Sequence, residues 1–171
     1  MNLADHPVRS LVGSAFVTDD GTVVSWVVLA FIGLATAGEA LGLVRLAALL
    51  AGGHVLGTLV SEAVLDVQVR AGAMPVAARA IVDVGPSYVV APALVLGLLL
   101  GPTLVGRAAS GLGLALLAPH LFGGLTRLEV SSVGHVVAIG VALLAGPALA
   151  VDRRARSPET VAGPALQLPI L

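Results

Sequence analysis

Two polar residues stand at the mouths of apolar runs, and their types could do chemistry together. Ser87 follows the Gly85-Pro86 break and opens the apolar run 89–100, while His135 opens a second run, 133–149. A hydroxyl beside an imidazole is the material of a Ser–His dyad, in which the ring takes the hydroxyl proton and the oxygen attacks a carbonyl. Read singly, Ser87 is a helix-start hydroxyl satisfying a backbone amide, and His135 is an interfacial histidine bonded to a neighbouring helix. The pair becomes a dyad only if the carrying elements bring both residues to one depth, side by side.

A second set is a stripe. His54, Thr58 and Glu62 recur at i, i+4 and i+8 and so share one helix face. Gly53 and Gly57, also four apart, permit close helix approach beside it. The bland reading is an interhelical hydrogen-bond seam; the sharper one is a polar wall of an active site, or a proton or metal path. No His-Glu-x-x-His run is present, so nothing favours a zinc protease. His120 beside Pro119 reads as structural.

The elements that must position these residues are membrane helices. The chain is 57% hydrophobic and 11% charged, against about 25% charged residues in soluble domains, and its mean hydropathy is +1.03. Apolar runs mark an all-α, polytopic bundle of about five transmembrane helices at residues 22–38, 46–65, 87–100, 103–125 and 132–151. These form one membrane domain, 1–151. Residues 1–20 read as an interfacial segment without the basic start and apolar core of a secretory signal peptide. Residues 152–171, with three arginines and three prolines, read as a disordered tail. All nine basic residues are Arg and there is no Cys. That bias points to a GC-rich bacterial gene and a multi-pass protein of the bacterial plasma (inner) membrane, with no thiolate or disulfide chemistry. A net charge of -1 gives no case for nucleic acid.

Orientation follows from the arginines, which favour the cytoplasmic side. A cytoplasmic tail puts Arg45, Arg107, Arg153, Arg154 and Arg156 inside, and Arg9, Arg70, Arg79 and Arg127 outside. The first, third and fifth spans then run inward, and Ser87 and His135 share a depth near the outer face.

The order of Glu39-Ala40-Leu41-Gly42, Gly85-Pro86-Ser87-Tyr88 and Gly134-His135 between apolar spans resembles the rhomboid intramembrane serine proteases, nearest their actinobacterial rhomboid-like branch. The resemblance covers roughly residues 14–146. In that family a Gly-x-Ser-Gly motif opens one helix with the nucleophile and an Ala-His-x-x-Gly motif opens another with the base. The resemblance implies Ser87 as nucleophile and His135 as base, with no metal or cofactor. Its substrates would be transmembrane segments of other proteins in the lipid bilayer.

Several positions depart from the family pattern. The family's first helix has no counterpart, which implies a five-helix variant or a gene start placed inside the protein. The family's oxyanion-holding His-x-x-x-Asn would fall near Val23 and Val27, which cannot donate. Tyr88 replaces the Gly after the serine, Gly134 replaces the Ala before the histidine, and Pro86 lacks an amide hydrogen. Removing one oxyanion donor costs on the order of 100- to 1000-fold in rate. Candidates to fill the polar cavity are the Ser87 amide, Gly85, His54, Thr58 and Glu62. The alternative implied is a rhomboid pseudoprotease that binds client membrane helices without cutting them. A transporter ranks behind both, since the chain shows no inverted repeat.

Overall fold

A computed structural model describes residues 23–80 and 86–156. The stretches 1–22, 81–85 and 157–171 lie outside the described residues. They include Gly85, the interfacial segment and most of the expected tail.

The described residues form five helices: α1 (Val23–Leu41), α2 (Leu43–Arg70), α3 (Ser87–Leu100), α4 (Leu104–Phe122) and α5 (Val130–Arg156). Short 3-10 turns lie at Val76–Ala80 and Leu125–Arg127. No strand occurs among the described residues. Local chemistry sets the breaks. Gly42, at φ 81°, is the single residue between α1 and α2, a conformation glycine adopts without a Cβ clash. Pro86 precedes α3, and Gly101-Pro102 stops it. The Thr103 hydroxyl oxygen accepts from the Gly106 amide at 3.1 Å and caps α4. Leu128, at φ 52°, turns the chain into α5.

Among the described residues, four helices are long and apolar enough to cross a membrane: α1, α2, α5 and α4 with the turn that follows it. Their outer faces expose Phe31, Val44, Leu112 and Leu144, the surface expected against acyl chains. α3 differs. It has 14 residues, about 21 Å at 1.5 Å per residue, against a hydrocarbon core of about 30 Å. Ser87, Tyr88 and every residue from Val90 to Gly97 are buried. An apolar helix without a polar face belongs in the middle of a bundle, and α3 contacts all four others.

Small residues bring the neighbours close. A Cβ on Gly33 of α1 would stand 2.9 Å from the Leu94 amide nitrogen, and one on Gly97 of α3 would stand 2.5 Å from Ser110 Oγ of α4. On α2, a Cβ at Gly53 would meet the Ala138 carbonyl oxygen at 3.4 Å, and one at Gly57 the Gly134 carbonyl oxygen at 2.9 Å. These pairings make α2 antiparallel to α5 and α4 antiparallel to α3, with α1 parallel to α3. An apolar core of Leu41, Leu46, Leu50, Leu96 and Ala142, among others, fills one end. A smaller cluster of Leu65, Val69 and Ala78 closes the other, flanked by Asp66 paired to Arg70 and Arg79, each at 2.6 Å.

Several boundaries differ from the apolar runs. α2 starts three residues before Leu46 and continues to Arg70, because Arg45 and Asp66 lie on the bundle surface with ionic partners. α5 begins at Val130 and runs through Asp152, whose carboxylate meets Arg45 at 2.9 Å. Glu39 sits inside the last turn of α1.

Two alanine substitutions on α2 test the close packing. Gly52 has nothing within 4 Å of a built Cβ, so Gly52→Ala is expected to be neutral or stabilising by about 0.5–1 kcal/mol. Gly57→Ala must push α5 away and is expected to destabilise by about 1–3 kcal/mol. SDS-unfolding midpoints in mixed micelles read both; equal effects would contradict the packing.

Candidate active site

Ser87 is the first residue of α3, and His135 lies in the second turn of α5. His135 is therefore not at its helix mouth: Val130 opens α5 about 7.5 Å before it, at 1.5 Å per residue. α3 starts level with that second turn because it is short. The His135 Nε2 to Ser87 Oγ distance is 2.8 Å. The other ring nitrogen, Nδ1, stands 3.0 Å from the Leu121 carbonyl oxygen at the end of α4. Ser87 is 6% exposed and His135 is fully buried. Three helices thus meet in one polar chain, from Ser87 through His135 to Leu121.

Tyr88 fixes the ring from the side. Its ring meets His135 edge-on, with centroids 5.0 Å apart and planes at 90°. Its hydroxyl donates to the Val130 carbonyl at 3.3 Å. A Cβ on Gly134 would fall on the Tyr88 hydroxyl, so the bare backbone at position 134 makes room for the phenol. Ser132 Oγ accepts from the Gly124 amide at 3.2 Å and ties the turn after α4 to the start of α5.

Tyr88 and His135 belong to a longer row of rings. His54 lies 5.8 Å from Tyr88, His120 lies 6.0 Å from His135, and Trp26 lies 5.9 Å from His120. Each of the five helices contributes one ring. The row uses the chain's single Tyr, its single Trp and three of its four His. His120, read from sequence as structural, is exposed in this row beside the dyad.

The stripe on α2 divides. His54 is buried and reaches Tyr88. Thr58 is half-buried and its hydroxyl donates to the His54 carbonyl of its own helix at 3.0 Å. Ser61 likewise donates to the Thr58 carbonyl at 3.0 Å, and Glu62 is half-buried. No three His, Cys, Asp or Glu side chains converge as metal ligands among the described residues. Val23 and Val27 are 54% and 61% exposed, so that face of α1 supplies no donor to the dyad. The residues that sequence reasoning missed act through backbone or shape. The Leu121 carbonyl has no signature in residue type, and Tyr88 was legible as part of the Gly85-Pro86-Ser87-Tyr88 stretch but not as a partner of His135.

A double-mutant cycle tests the Tyr88–Gly134 fit. Gly134→Ala alone is expected to destabilise by about 1–3 kcal/mol through overpacking. In a Tyr88→Ala background the same change is expected to cost little, giving a coupling of about 1 kcal/mol or more. Additive unfolding midpoints would mean the two sites do not share the space.

No curated protein and no solved structure matches the chain. A family model described as rhomboid-like protein matches residues 1–155. With a match over nearly its whole length and four helices able to cross a membrane, the chain is a multi-pass membrane protein that belongs to the rhomboid-like protein family.

Proposed function

We propose that the protein is an intramembrane serine protease that cleaves transmembrane segments of other membrane proteins. One observation carries the reading: the 2.8 Å approach of Ser87 Oγ to His135 Nε2 at the start of the enclosed helix α3. Nε2 takes the Ser87 proton as Oγ attacks the scissile carbonyl carbon, and a tetrahedral oxyanion forms. The imidazolium then protonates the leaving amine, giving an acyl-Ser87 ester. Water, deprotonated by the same nitrogen, releases it. The Ser87 amide, a first-turn amide with no acceptor inside its helix, and the His54 ring are the oxyanion donors in this reading. Thr58 would have to turn from the His54 carbonyl to join them, and Gly85 is a further candidate. Glu62 belongs to the polar wall. The protein lies in a bacterial plasma membrane, with Arg45 and the end of α5 on the cytoplasmic side.

The second reading is a pseudoprotease that holds client helices without cutting them. The outward-facing Val23 and Val27 and the amide-less Pro86 favour it.

Fluorophosphonate labelling of the purified protein in detergent separates the two. The protease reading expects labelling at Ser87. It also expects Ser87→Ala and His135→Ala each to lower cleavage by on the order of a thousandfold or more, the double variant being little worse than either. An unlabelled Ser87, with client binding intact in both variants, selects the pseudoprotease. For orientation, Ala155→Cys is expected to resist membrane-impermeant thiol reagents in intact cells; labelling from outside reverses the topology.

A further inference from the structure

We propose that the C-terminal turn of α4 is the third member of the dyad: the Leu121 backbone carbonyl sets the tautomer of His135 and holds its ring for proton transfer. The inference rests on the protease reading of Ser87 and His135 and adds a positioning group to it.

The argument starts from hydrogen-bond direction. A carbonyl oxygen only accepts, so the 3.0 Å contact with Leu121 requires the proton on Nδ1. Nε2 is then left with its lone pair, 2.8 Å from the Ser87 hydroxyl. That is the one neutral form in which His135 can take the serine proton. The opposite tautomer would aim an N–H at Ser87 and leave Nδ1 lone pair against carbonyl lone pair, with no water to relieve it, since His135 and Leu121 are both fully buried.

Leu121 can serve because of where α4 ends. The helix closes at Phe122, so the residue four positions on, which would donate to the Leu121 carbonyl, is outside it. Gly124, three positions on, gives its amide to Ser132 Oγ at 3.2 Å instead. The leftover carbonyl therefore points to His135. It also brings the partially negative end of α4 against the ring that becomes an imidazolium during the reaction. In serine proteases a carboxylate usually performs both tasks. Here a helix-end carbonyl stands 3.0 Å from Nδ1. The Ser132–Gly124 hydrogen bond at 3.2 Å and the Tyr88 ring hold α4 and the imidazole in register.

The test reads the tautomer directly. In protein labelled with 15N-histidine, the His135 signals are assigned by their loss in His135→Asn. The expected spectrum shows Nδ1 bearing the proton and Nε2 unprotonated; a majority of the Nε2–H form overturns the inference. Replacing Phe122 by phenyllactic acid turns the Leu121 carbonyl into an ester carbonyl, a poorer acceptor. The Nε2–H population is then expected to rise and fluorophosphonate labelling of Ser87 to slow by about tenfold, the scale of one weakened hydrogen bond. An ester at Leu117, in the middle of α4, removes a helix hydrogen bond equally and is expected to change neither readout. If the Phe122 ester behaves like the Leu117 ester, the inference fails. The tautomer needs no catalysis to be seen. A protein whose Ser87 never labels, yet whose His135 holds its proton on Nδ1, refutes the protease reading and leaves the positioning role of Leu121 standing.

Discussion

A helix too short to span the bilayer, enclosed by four that can, is the constraint on which the structure depends. α3 has no polar face to show water and no need of a lipid face, so its burial is settled by composition. Its 14 residues fall about 10 Å short of the hydrocarbon thickness. One end of α3 must therefore lie inside the membrane profile. On the neighbouring α2, Gly57 packs beside Tyr88, and the helix continues from there to Arg70, about 20 Å farther. The end left inside the profile is the one that carries Ser87. Polar groups at that depth must satisfy one another, since lipid offers no partners. The Ser87–His135–Leu121 chain does so with one hydroxyl, one imidazole and one helix-end carbonyl.

Close approach is the second condition, and glycine meets it where helix backbones nearly touch. Gly33, Gly57 and Gly97 each face a neighbouring helix at a distance that a methyl group would violate. Gly134 differs from Gly33 and Gly57, because a side chain, the Tyr88 phenol, and not a backbone fills its missing volume. The two departures from the rhomboid motifs, Tyr88 after the serine and Gly134 before the histidine, touch one another. The Tyr88 phenol occupies the space beside the bare Gly134 backbone, and its ring edge lies against the imidazole.

How much of this was legible in the chain follows from what each feature depends on. Helix number and class were readable, because apolar runs and Gly-Pro punctuation are local. Helix ends were read poorly wherever a charge lay at the membrane boundary. Arg45 and Asp152 appear as loop residues in a hydropathy profile, yet each lies inside its helix, in the first turn of α2 and near the end of α5, and they pair at 2.9 Å. Ser87 and His135 could be singled out by type and order, but their separation depends on helix lengths. His135 works from the second turn because α3 starts deep, and no single motif states that. The ring row was invisible for the same reason. His54, Tyr88, His120, His135 and Trp26 are scattered in sequence and gather only when five helices close. The Leu121 carbonyl was beyond reach, since any residue at that position would offer one.

The location of the Ser87–His135 hydrogen bond also bears on why it exists. A serine and a histidine needed only to clamp two helices could sit anywhere along the α3–α5 contact, which continues through Leu96 to Gly146. Midway along, both helices have spent their backbone amides, and a hydroxyl–imidazole pair would be a clamp and nothing more. Here the pair sits at the helix start, where the Ser87 amide has no acceptor inside the helix. A carbonyl carbon brought within reach of Ser87 Oγ would carry its oxygen toward that turn. Acyl transfer needs a donor beside the nucleophile, and in the proposed protease reading this placement supplies one. With Val23 and Val27 facing away from the dyad, the backbone at the mouth of α3 is the more important donor in the protease reading. It also explains why a proline can directly precede the serine. Pro86 gives up its own amide but accepts from both Val89 and Val90, at 2.9 and 2.8 Å, and so starts the helix at the residue that carries the hydroxyl.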